Sequence, residues 1–587
     1  MAINQLVESS QTVEVQQTTF SLDVVGRYVC NTLPEAVNNG GLPFDAVVLG
    51  AGMFGAYCAE KIYRRGAGNK RVLILEAGDF LVSEHVQNLA RIGLNVADAV
   101  SSDPGVPRER VWGLPWRSNQ AMPGLAYCVG GRSLYWGGWA PRLTAADQAL
   151  WPAGVANYLN ANYARIEHEI GVDPSTDFIT GALYTALRTR LNAVAPGVAN
   201  VDPPVKEAPL AVQGHPPASG LFSFDKYSSA PILIDAIREA AGRPDWSRRL
   251  FLVPRAHVVR LQALGGVVQT LEVDVNGQRK FLSIGPNCAV VLAMGAIEST
   301  RLALLSFPTP LMGRNLMVHL RTNLTVRIRR SALAAALPPQ LETAAVLVRG
   351  STAHARFHLQ FTASASQSGF SEELLFRMIP DLDLVDSILA SQNADWISIT
   401  VRGFAEMKGD QSSTVPNNTG SWINLSPFES DEFGMARAWV QLVATGADNA
   451  LWDTMDQTAL ALVQQVAGSA TNIEYFYNRG WQSAPPTLAT IRSQMRDGLG
   501  TTHHESGTLW MGAPGSSVTD ENGRFHHISN AYVADLALFP TVGSANPTLT
   551  GLTLARKVTA AIAQNNDTLT GYRPDGFRML LTAYFSI

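Results

Sequence analysis

The chain has 587 residues, of which 46% are hydrophobic and 16% are charged. A chain of this length is expected to divide into at least two domains, and a formal net charge of −4 provides no basic surface of the kind that binds nucleic acid. No apolar stretch reaches the roughly 18 residues of a membrane span.

The first 20 residues lack the basic and apolar regions of a secretory signal. Residues 1–43 are polar and then include a short apolar piece, and we expect them to form an extension that wraps the body or serves as an oligomer arm. The four cysteines, Cys30, Cys58, Cys128 and Cys288, are far apart and form no CxxC pair. This usage favours reduced, buried thiols in a cytoplasmic protein. No group of His, Cys and Asp residues has the spacing of metal ligands, so we expect no metal site.

The clearest local pattern lies between residues 44 and 80. Residues 44–49 form a short apolar run typical of a buried strand, and a helical pattern follows it as far as Gly66. Residues 71–75, RVLIL, form a second apolar run. The order strand, helix, strand predicts a βαβ unit, which is the building block of a parallel sheet.

The turn between the first strand and the helix reads GAGMFG. Gly50 permits the tight turn, Gly52 lets the backbone approach a pyrophosphate, and Gly55 lets the helix pack closely on the strand. The free N–H groups at the helix N-terminus then favour a phosphate. Glu76 follows the second strand, where a carboxylate can accept both ribose hydroxyls. The pattern predicts a dinucleotide site, and the ending Glu-Ala-Gly favours FAD over NAD.

The stretch from about residue 325 to 500 has a different pattern. Alternating polar and apolar residues occur in four segments: 324–328, 355–361, 396–401 and 436–443. Such alternation is typical of an antiparallel sheet, and helical stretches such as 450–467 flank it. We therefore expect an α/β chain, α+β overall, in which a Rossmann-like FAD-binding domain is interleaved with a substrate domain built on an antiparallel sheet.

Four further blocks occur in a fixed order: CVGGRSLYWGGWAPR at 128–142, VVLAMGAIESTRLALLS at 290–306, MGRNLMVH at 312–319, and a block from HHESGTLWMG at 503 to NPTLTGLTLAR ending at 556. In this order and spacing the chain resembles the glucose–methanol–choline (GMC) family of FAD-dependent oxidoreductases. The resemblance covers residues 44–320 and 500–565 well and residues 321–499 poorly. Within the family the chain is most similar to pyranose oxidases and related bacterial sugar and polyol dehydrogenases.

The resemblance implies a division of the chain into a FAD-binding domain at 44–150, 221–320 and 500–587 and a substrate domain at 151–220 and 321–499. It implies that Gly130, Gly131 and Ser133 form a turn beneath the flavin and its pyrophosphate. It also implies that the backbone of Val258 contacts the adenine and that Asp535 lies near the pyrophosphate. Pyranose oxidases tether the flavin through a histidine two places after the serine. Because this chain has Tyr135 there, we expect non-covalent FAD.

In the family, the motif His-x-x-Gly-Thr carries the catalytic base, which falls here on His504, and the partner position falls on Asn546. Oxidation of an alcohol removes a proton from oxygen and a hydride from carbon. A neutral imidazole can accept the proton, and FAD accepts the hydride at N5. The amide of Asn546, close to the flavin, would orient and polarise the oxygen. We expect His503 to be structural and His319 to serve in packing.

The sequence therefore predicts FAD-dependent oxidation of a sugar, glycoside or polyol hydroxyl to a carbonyl. The expected partners are a small-molecule alcohol and either O₂ or a quinone-type acceptor, and a homo-oligomer is compatible with the N-terminal arm. The alternatives are a non-sugar alcohol, lyase or light-driven chemistry without net oxidation, and flavin binding without catalysis, which the pair His504 and Asn546 disfavours. Four polar side chains of the variable region either line the substrate cavity or face water: His354, Glu372, Glu373 and Arg377.

Overall fold

The computed structural model describes residues 29–37, 43–65, 70–88, 112–113, 115–122, 124–172, 181–213, 225–241, 248–337, 341–366 and 395–563. Most of the expected N-terminal extension lies outside these residues, as do Glu372, Glu373 and Arg377. The four cysteines are buried free thiols. Among the described helices, none has the length and apolar character needed to cross a bilayer.

The described helices and strands are numbered in chain order. The helices are α1 Leu33–Val37, α2 Met53–Arg65, α3 Ala153–Glu169, α4 Ala182–Val194, α5 Ala230–Ala241, α6 Ala296–Ser306, α7 Arg330–Leu333, α8 Gly446–Ala467, α9 Leu488–Gln494 and α10 Thr548–Ala563. The strands are β1 Ala46–Leu49, β2 Val72–Leu75, β3 Trp112–Gly113, β4 Trp116–Ser118, β5 Leu125–Ala126, β6 Val201–Glu207, β7 Val212–Gln213, β8 Asp225–Lys226, β9 Leu250–Val253, β10 Ala256–Leu264, β11 Val267–Val275, β12 Gln278–Ser283, β13 Ala289–Leu292, β14 His319–Arg329, β15 Glu342–Ser351, β16 Arg356–Ala365, β17 Trp396–Glu406, β18 Trp422–Ser430, β19 Ala436–Gln441, β20 Ile473–Tyr477, β21 Gly480–Gln482 and β22 Ala531–Val533.

A five-stranded parallel sheet with the order β22-β13-β1-β2-β9 forms the first layer of the fold. Strands β1, β2 and β13 are short apolar runs in which every residue is buried, as expected where helices cover both faces of a parallel sheet. Helix α2 connects β1 to β2, which is the expected βαβ unit. Because β1 lies between β2 and β13, the turn after β1 opens at the point where the strand order reverses, a common ligand site in such sheets.

A buried ion pair fastens three helices of this layer together. Arg556 of α10 donates to Glu169 of α3 at 2.6 Å, and the hydroxyl of Tyr57 on α2 donates to the other carboxylate oxygen of Glu169 at 2.6 Å. The buried apolar residues of α3 belong to the same hydrophobic cluster as the parallel sheet. Helix α3 therefore packs with this sheet, although the division proposed from the sequence assigns residues 151–220 to the substrate domain.

The described part of the N-terminal extension, residues 29–37, packs against the edge of the same sheet. The backbone N–H of Asn31 donates to the carbonyl of Leu252 in β9 at 2.7 Å. Val29 and Leu33 are buried in the cluster that contains the sheet. This segment consequently belongs to the body of the protein.

The second layer is a seven-stranded antiparallel sheet with the order β21-β20-β14-β17-β16-β15-β6. Three of the four predicted alternating segments lie in β14, β16 and β17, which are neighbours in this sheet. Residues 436–443 were expected to lie in the same antiparallel sheet, and this prediction is wrong. Their strand, β19, pairs instead with β18 and β4 in a separate three-stranded sheet. Alternation indicates a half-buried strand, but it does not identify the neighbouring strand.

The central strands of the antiparallel sheet have one apolar and one polar face, because successive side chains on a strand alternate between faces. The apolar face, with residues such as Leu324 and Val401, packs in one cluster with helix α8. The opposite face carries two cross-strand rows: Arg321, Phe404 and His358, then Asn323, Arg402 and Gln360. This polar face is turned towards the loops of the parallel sheet.

Candidate active site

A cavity of about 540 Å³ lies between the carboxyl ends of the parallel strands and the polar face of the antiparallel sheet. Its volume is in the range of roughly 300–1,000 Å³ that is typical of ligand and cofactor sites. Of the residues predicted from the sequence, those on the cavity wall are Gly50, Gly52, Glu76, Gly131, Ser133, Val258, His504 and Asn546. The antiparallel sheet contributes Arg321, Gln360, Arg402 and Phe404.

Glu76 lies just after β2, where its carboxylate lines the cavity and holds two backbone N–H groups. One oxygen accepts the N–H of Ala51 at 2.6 Å and the other accepts the N–H of Gly78 at 2.9 Å. Burial raises the pKa of Glu76 to about 7, and the backbone N–H donors oppose that rise. Each carboxylate oxygen has a second lone pair. These lone pairs can accept the ribose hydroxyls of a dinucleotide.

The glycines of the turn after β1 serve two different requirements. A Cβ at Gly55 would lie 1.9 Å from the carbonyl oxygen of Gly50, so the contact of α2 with this turn requires glycine. A Cβ at Gly52 would have no protein atom closer than Gly131 Cα at 3.9 Å. The protein itself therefore leaves space at Gly52, beside the free N–H groups at the start of α2. This open cradle fits a pyrophosphate, and the cavity residues together fit FAD.

Three of the predicted cofactor residues, Gly55, Gly130 and Asp535, lie behind the cavity wall. Gly130 donates its N–H to the carbonyl of Ala51 at 2.8 Å. Asp535 is buried and accepts from the hydroxyl of Ser299 at 2.6 Å and from the N–H of Gly295 at 3.0 Å. Burial raises the pKa of Asp535 to about 6. The carboxylate of Asp535 thus fixes Gly295, which lines the cavity. Its place near the pyrophosphate stays a prediction.

His504 reaches the cavity from the loop after Gly500, and a second histidine supports it. Its Nδ1 lies 2.8 Å from Nδ1 of His319, and Nε2 of His319 lies 3.0 Å from the carbonyl oxygen of Gly543. Burial lowers the pKa of His504 well below its usual range, and the nearby His319 and Arg321 lower it further. His504 is therefore neutral at ordinary pH, as a base must be. The expectation that His319 serves only in packing is corrected by its direct contact with His504.

Asn546 reaches the same cavity from the loop before α10. Its Oδ1 accepts from the amide nitrogen of Gln360 at 2.7 Å. The same nitrogen lies 3.0 Å from Nε2 of His358, and Nδ1 of His358 lies 2.5 Å from the carbonyl oxygen of Ser544. Burial lowers the pKa of His358 to about 3, and Arg349 and His319 contribute to the shift.

Sequence reasoning assigned no role to His358 or Gln360. The available signal was the segment HLQF at 358–361, in which polar residues alternate with apolar ones on a strand that was predicted. Both polar residues are buried. Buried polar residues on one face of a strand indicate a polar cavity or a hydrogen-bond network.

Arg132 and Tyr135 of the glycine-rich segment line the cavity, whereas His354 does not. Arg132 of the glycine-rich turn forms an ion pair with Glu505 at 2.9 Å, which joins this turn to the loop of His504. Tyr135, at the tether position, lines the cavity. His354 is exposed, away from the cavity wall. No cluster of His, Cys, Asp and Glu suited to a metal occurs in the part of the chain that the structure describes.

Comparisons with known proteins agree with this architecture. Residues 416–555 match a family model described as GMC oxidoreductase. No curated protein matches the chain. Among solved structures, the crystal structure of pyridoxine 4-oxidase from Mesorbium loti has a TM-score of 0.53 and 15% identity, and the match covers 89% of this chain and 100% of that one. At this identity the similarity establishes the fold.

Proposed function

We propose that this chain is a GMC oxidoreductase that oxidises a sugar, glycoside or polyol hydroxyl to a carbonyl with non-covalently bound FAD, and the match of residues 416–555 to the GMC oxidoreductase family model supports this. The observation that carries this proposal is the convergence of His504 and Asn546 on the cavity that begins at the glycine cradle. Both residues lie within the family segment. They are called the catalytic pair below.

The residues that would hold FAD lie at one end of the cavity. Gly50, Gly52 and the N-terminus of α2 would take the pyrophosphate, because free N–H groups and the helix dipole favour an anion. Glu76 would accept the ribose hydroxyls, and the backbone of Val258 would contact the adenine. When bound, FAD supplies the acceptor for the hydride. Tyr135 at the tether position supports non-covalent binding.

The catalytic pair removes the proton from the alcohol oxygen and hydrogen-bonds to that oxygen. The imidazole of His504 takes the hydroxyl proton as the O–H electron pair becomes the second bond of the carbonyl, and the hydrogen on carbon departs with its own electron pair. Asn546 donates from its amide to the same oxygen and stabilises the negative charge that develops there. The surrounding protein strengthens this interaction, because its dielectric constant is lower than that of water.

The composition of the cavity wall supports a polyhydroxylated substrate. Beside the catalytic pair, the polar face of the antiparallel sheet presents Arg321, Gln360 and Arg402. Polar side chains on the wall suit a substrate with several hydroxyls better than a simple apolar alcohol. Electrons would pass from the reduced cofactor to O₂ or a quinone-type acceptor.

The test is anaerobic mixing of the purified holoprotein with a panel of sugars, polyols and aromatic or aliphatic alcohols, while the absorbance of the oxidised flavin is followed. We expect sugars or polyols to reduce the flavin. The His504→Ala variant should keep its FAD and lose roughly 10²–10⁴-fold in the reduction rate, since it lacks its base. His354→Ala, which changes an exposed histidine, is the matched control. Unchanged reduction by His504→Ala, or no reduction by any alcohol, would refute the proposal.

A further inference from the structure

We propose that two buried histidines, His319 and His358, set the polarity of the catalytic pair: they fix His504 as a proton acceptor and Asn546 as a hydrogen-bond donor. The roles of the catalytic pair rest on the proposed function, whereas the arrangement of protons can be measured without turnover. His319 and His358 are absent from the cavity wall, so they act through the residues they contact. Both are positioning residues.

The first hydrogen-bond chain runs from the carbonyl of Gly543 through His319 to His504, and this carbonyl determines its proton positions. The oxygen of Gly543 can only accept, so Nε2 of His319 at 3.0 Å carries the proton that is donated. Burial lowers the pKa of His319 to about 4, so the ring is neutral and its Nδ1 is bare. The 2.8 Å contact between the two Nδ1 atoms then requires Nδ1–H of His504 to donate. Nε2 of His504 is left with a free lone pair, which is the acceptor that the substrate proton needs.

The second hydrogen-bond chain runs from the carbonyl of Ser544 through His358 and Gln360 to Asn546. The oxygen of Ser544 accepts from Nδ1–H of His358 at 2.5 Å, so Nε2 of this neutral ring is bare. Only an N–H can satisfy that lone pair, and the amide nitrogen of Gln360 does so at 3.0 Å. The same nitrogen uses its other hydrogen on Oδ1 of Asn546 at 2.7 Å. With its oxygen engaged by Gln360, Asn546 keeps its NH₂ group for the cavity.

The ring of Phe404 separates the two chains. It stacks on His358 with centroids 5.3 Å apart and meets His319 edge-on at 6.2 Å. Neither histidine lines the cavity, and the apolar ring between them allows each to take its own tautomer. Both chains start at adjacent carbonyls, Gly543 and Ser544, so one loop fixes both sets of protons.

The proposal predicts a specific pattern among substitutions of His319. In Asp and Asn, Oδ1 reaches the position of the imidazole Nδ1, so either can accept from His504, whereas Leu cannot. Asp also adds a negative charge, which raises the pKa of His504. The other titratable or charged groups that face this pair are His503 on the same loop, Arg321 on β14, His358 on β16 and Asp147.

The rate of anaerobic flavin reduction should be measured against pH in these three variants, with FAD content and circular dichroism as checks on folding. For His319→Leu we expect a loss of about 10²-fold or more in the rate, because His504 loses the acceptor for its Nδ1–H and with it the tautomer and orientation that present Nε2 to the substrate. The substrate dissociation constant should change little. His319→Asn should recover most of the rate with an unchanged pH profile. His319→Asp should recover it with the acid limb at higher pH.

A Gln360→Glu variant tests the second chain, because a carboxylate offers only acceptors and would turn the NH₂ of Asn546 towards itself. We expect a loss of reduction rate that Gln360→Asn does not rescue, since its shorter side chain cannot reach both partners. Wild-type rates in both Gln360→Glu and His319→Leu would overturn the proposal. So would equal rates and equal pH profiles in all three His319 variants.

¹⁵N NMR of histidine-labelled holoprotein separates this proposal from the proposed function. The tautomer of His504 is read without substrate, and His504→Gln assigns its signals. A bare Nε2 on His504 supports the positioning role, and a protonated Nε2 overturns it whatever the activity. If Nε2 is bare and no alcohol reduces the flavin, the proposed function fails while the inferred hydrogen-bond chain stands.

Discussion

Substitution of Gly52 should weaken cofactor binding without impairing folding. The change Gly52→Ala adds a Cβ whose nearest protein atom, Gly131 Cα, is 3.9 Å away, which is an ordinary van der Waals contact. The protein should therefore fold with nearly unchanged stability. The methyl group occupies the space of the pyrophosphate, and loss of one N–H bond to a charged phosphate costs about 1.5–3 kcal/mol. This corresponds to a dissociation constant for FAD that is roughly 10–150-fold higher.

The assay is titration of deflavinated protein with FAD, followed by flavin fluorescence, with the melting temperature of the cofactor-free protein as the stability measurement. Gly55→Ala is the matched control, because its Cβ would lie 1.9 Å from the carbonyl oxygen of Gly50. We expect Gly55→Ala to lower the melting temperature or prevent folding, and Gly52→Ala to lower only the affinity. A Gly52→Ala protein with wild-type FAD affinity would refute the placement of the pyrophosphate.

Two further predictions concern stability. His319 has a folded pKa of about 4, against about 6.5 when unfolded, so below pH 6.5 the unfolded chain binds the extra proton and stability is lost as pH falls. Between pH 7 and pH 4.5 this amounts to about 2 kcal/mol, and guanidinium unfolding of His319→Gln should show a pH dependence smaller by that amount; identical dependence in both proteins contradicts it. Arg301 is buried between Glu298, at 2.9 Å, and Asp431. Asp431→Ala should cost about 3–5 kcal/mol, because a buried charge loses a partner, and Asp431→Asn should cost less in thermal unfolding; equal losses would exclude this charge effect.

The parts of the fold that could be predicted are those encoded in short segments. The βαβ unit follows from two apolar runs and a helical period, and the glycines of the turn mark where a backbone must come close to something else. Glu76 follows from its place after the second strand. His504 and Asn546 were predicted from family motifs, and the structure brings both to one cavity.

The parts that could not be predicted depend on how distant segments pair. His358 and Arg321 lie on the same face of the antiparallel sheet because Phe404 in β17 pairs with both of them. No local pattern gives that register. The role of Asp535 could not be predicted from the sequence either, because an aspartate can serve equally well as a buried cap or as a contact to the cofactor. Only the positions of Ser299 and Gly295 distinguish them.

The loop before Asn546 shows why the register matters to the chemistry. Gly543 has a φ of +64°, and a Cβ there would lie 2.6 Å from the side chain of Leu143. The N–H of Ser544 is held by Asp147 at 3.1 Å. The carbonyl groups of Gly543 and Ser544 are therefore held in place. His319 of β14 contacts the first carbonyl and His358 of β16 contacts the second. A neutral imidazole oriented by a backbone carbonyl needs no hydrogen bond to a carboxylate, so we expect the proposed base to be oriented without a charged hydrogen-bond partner.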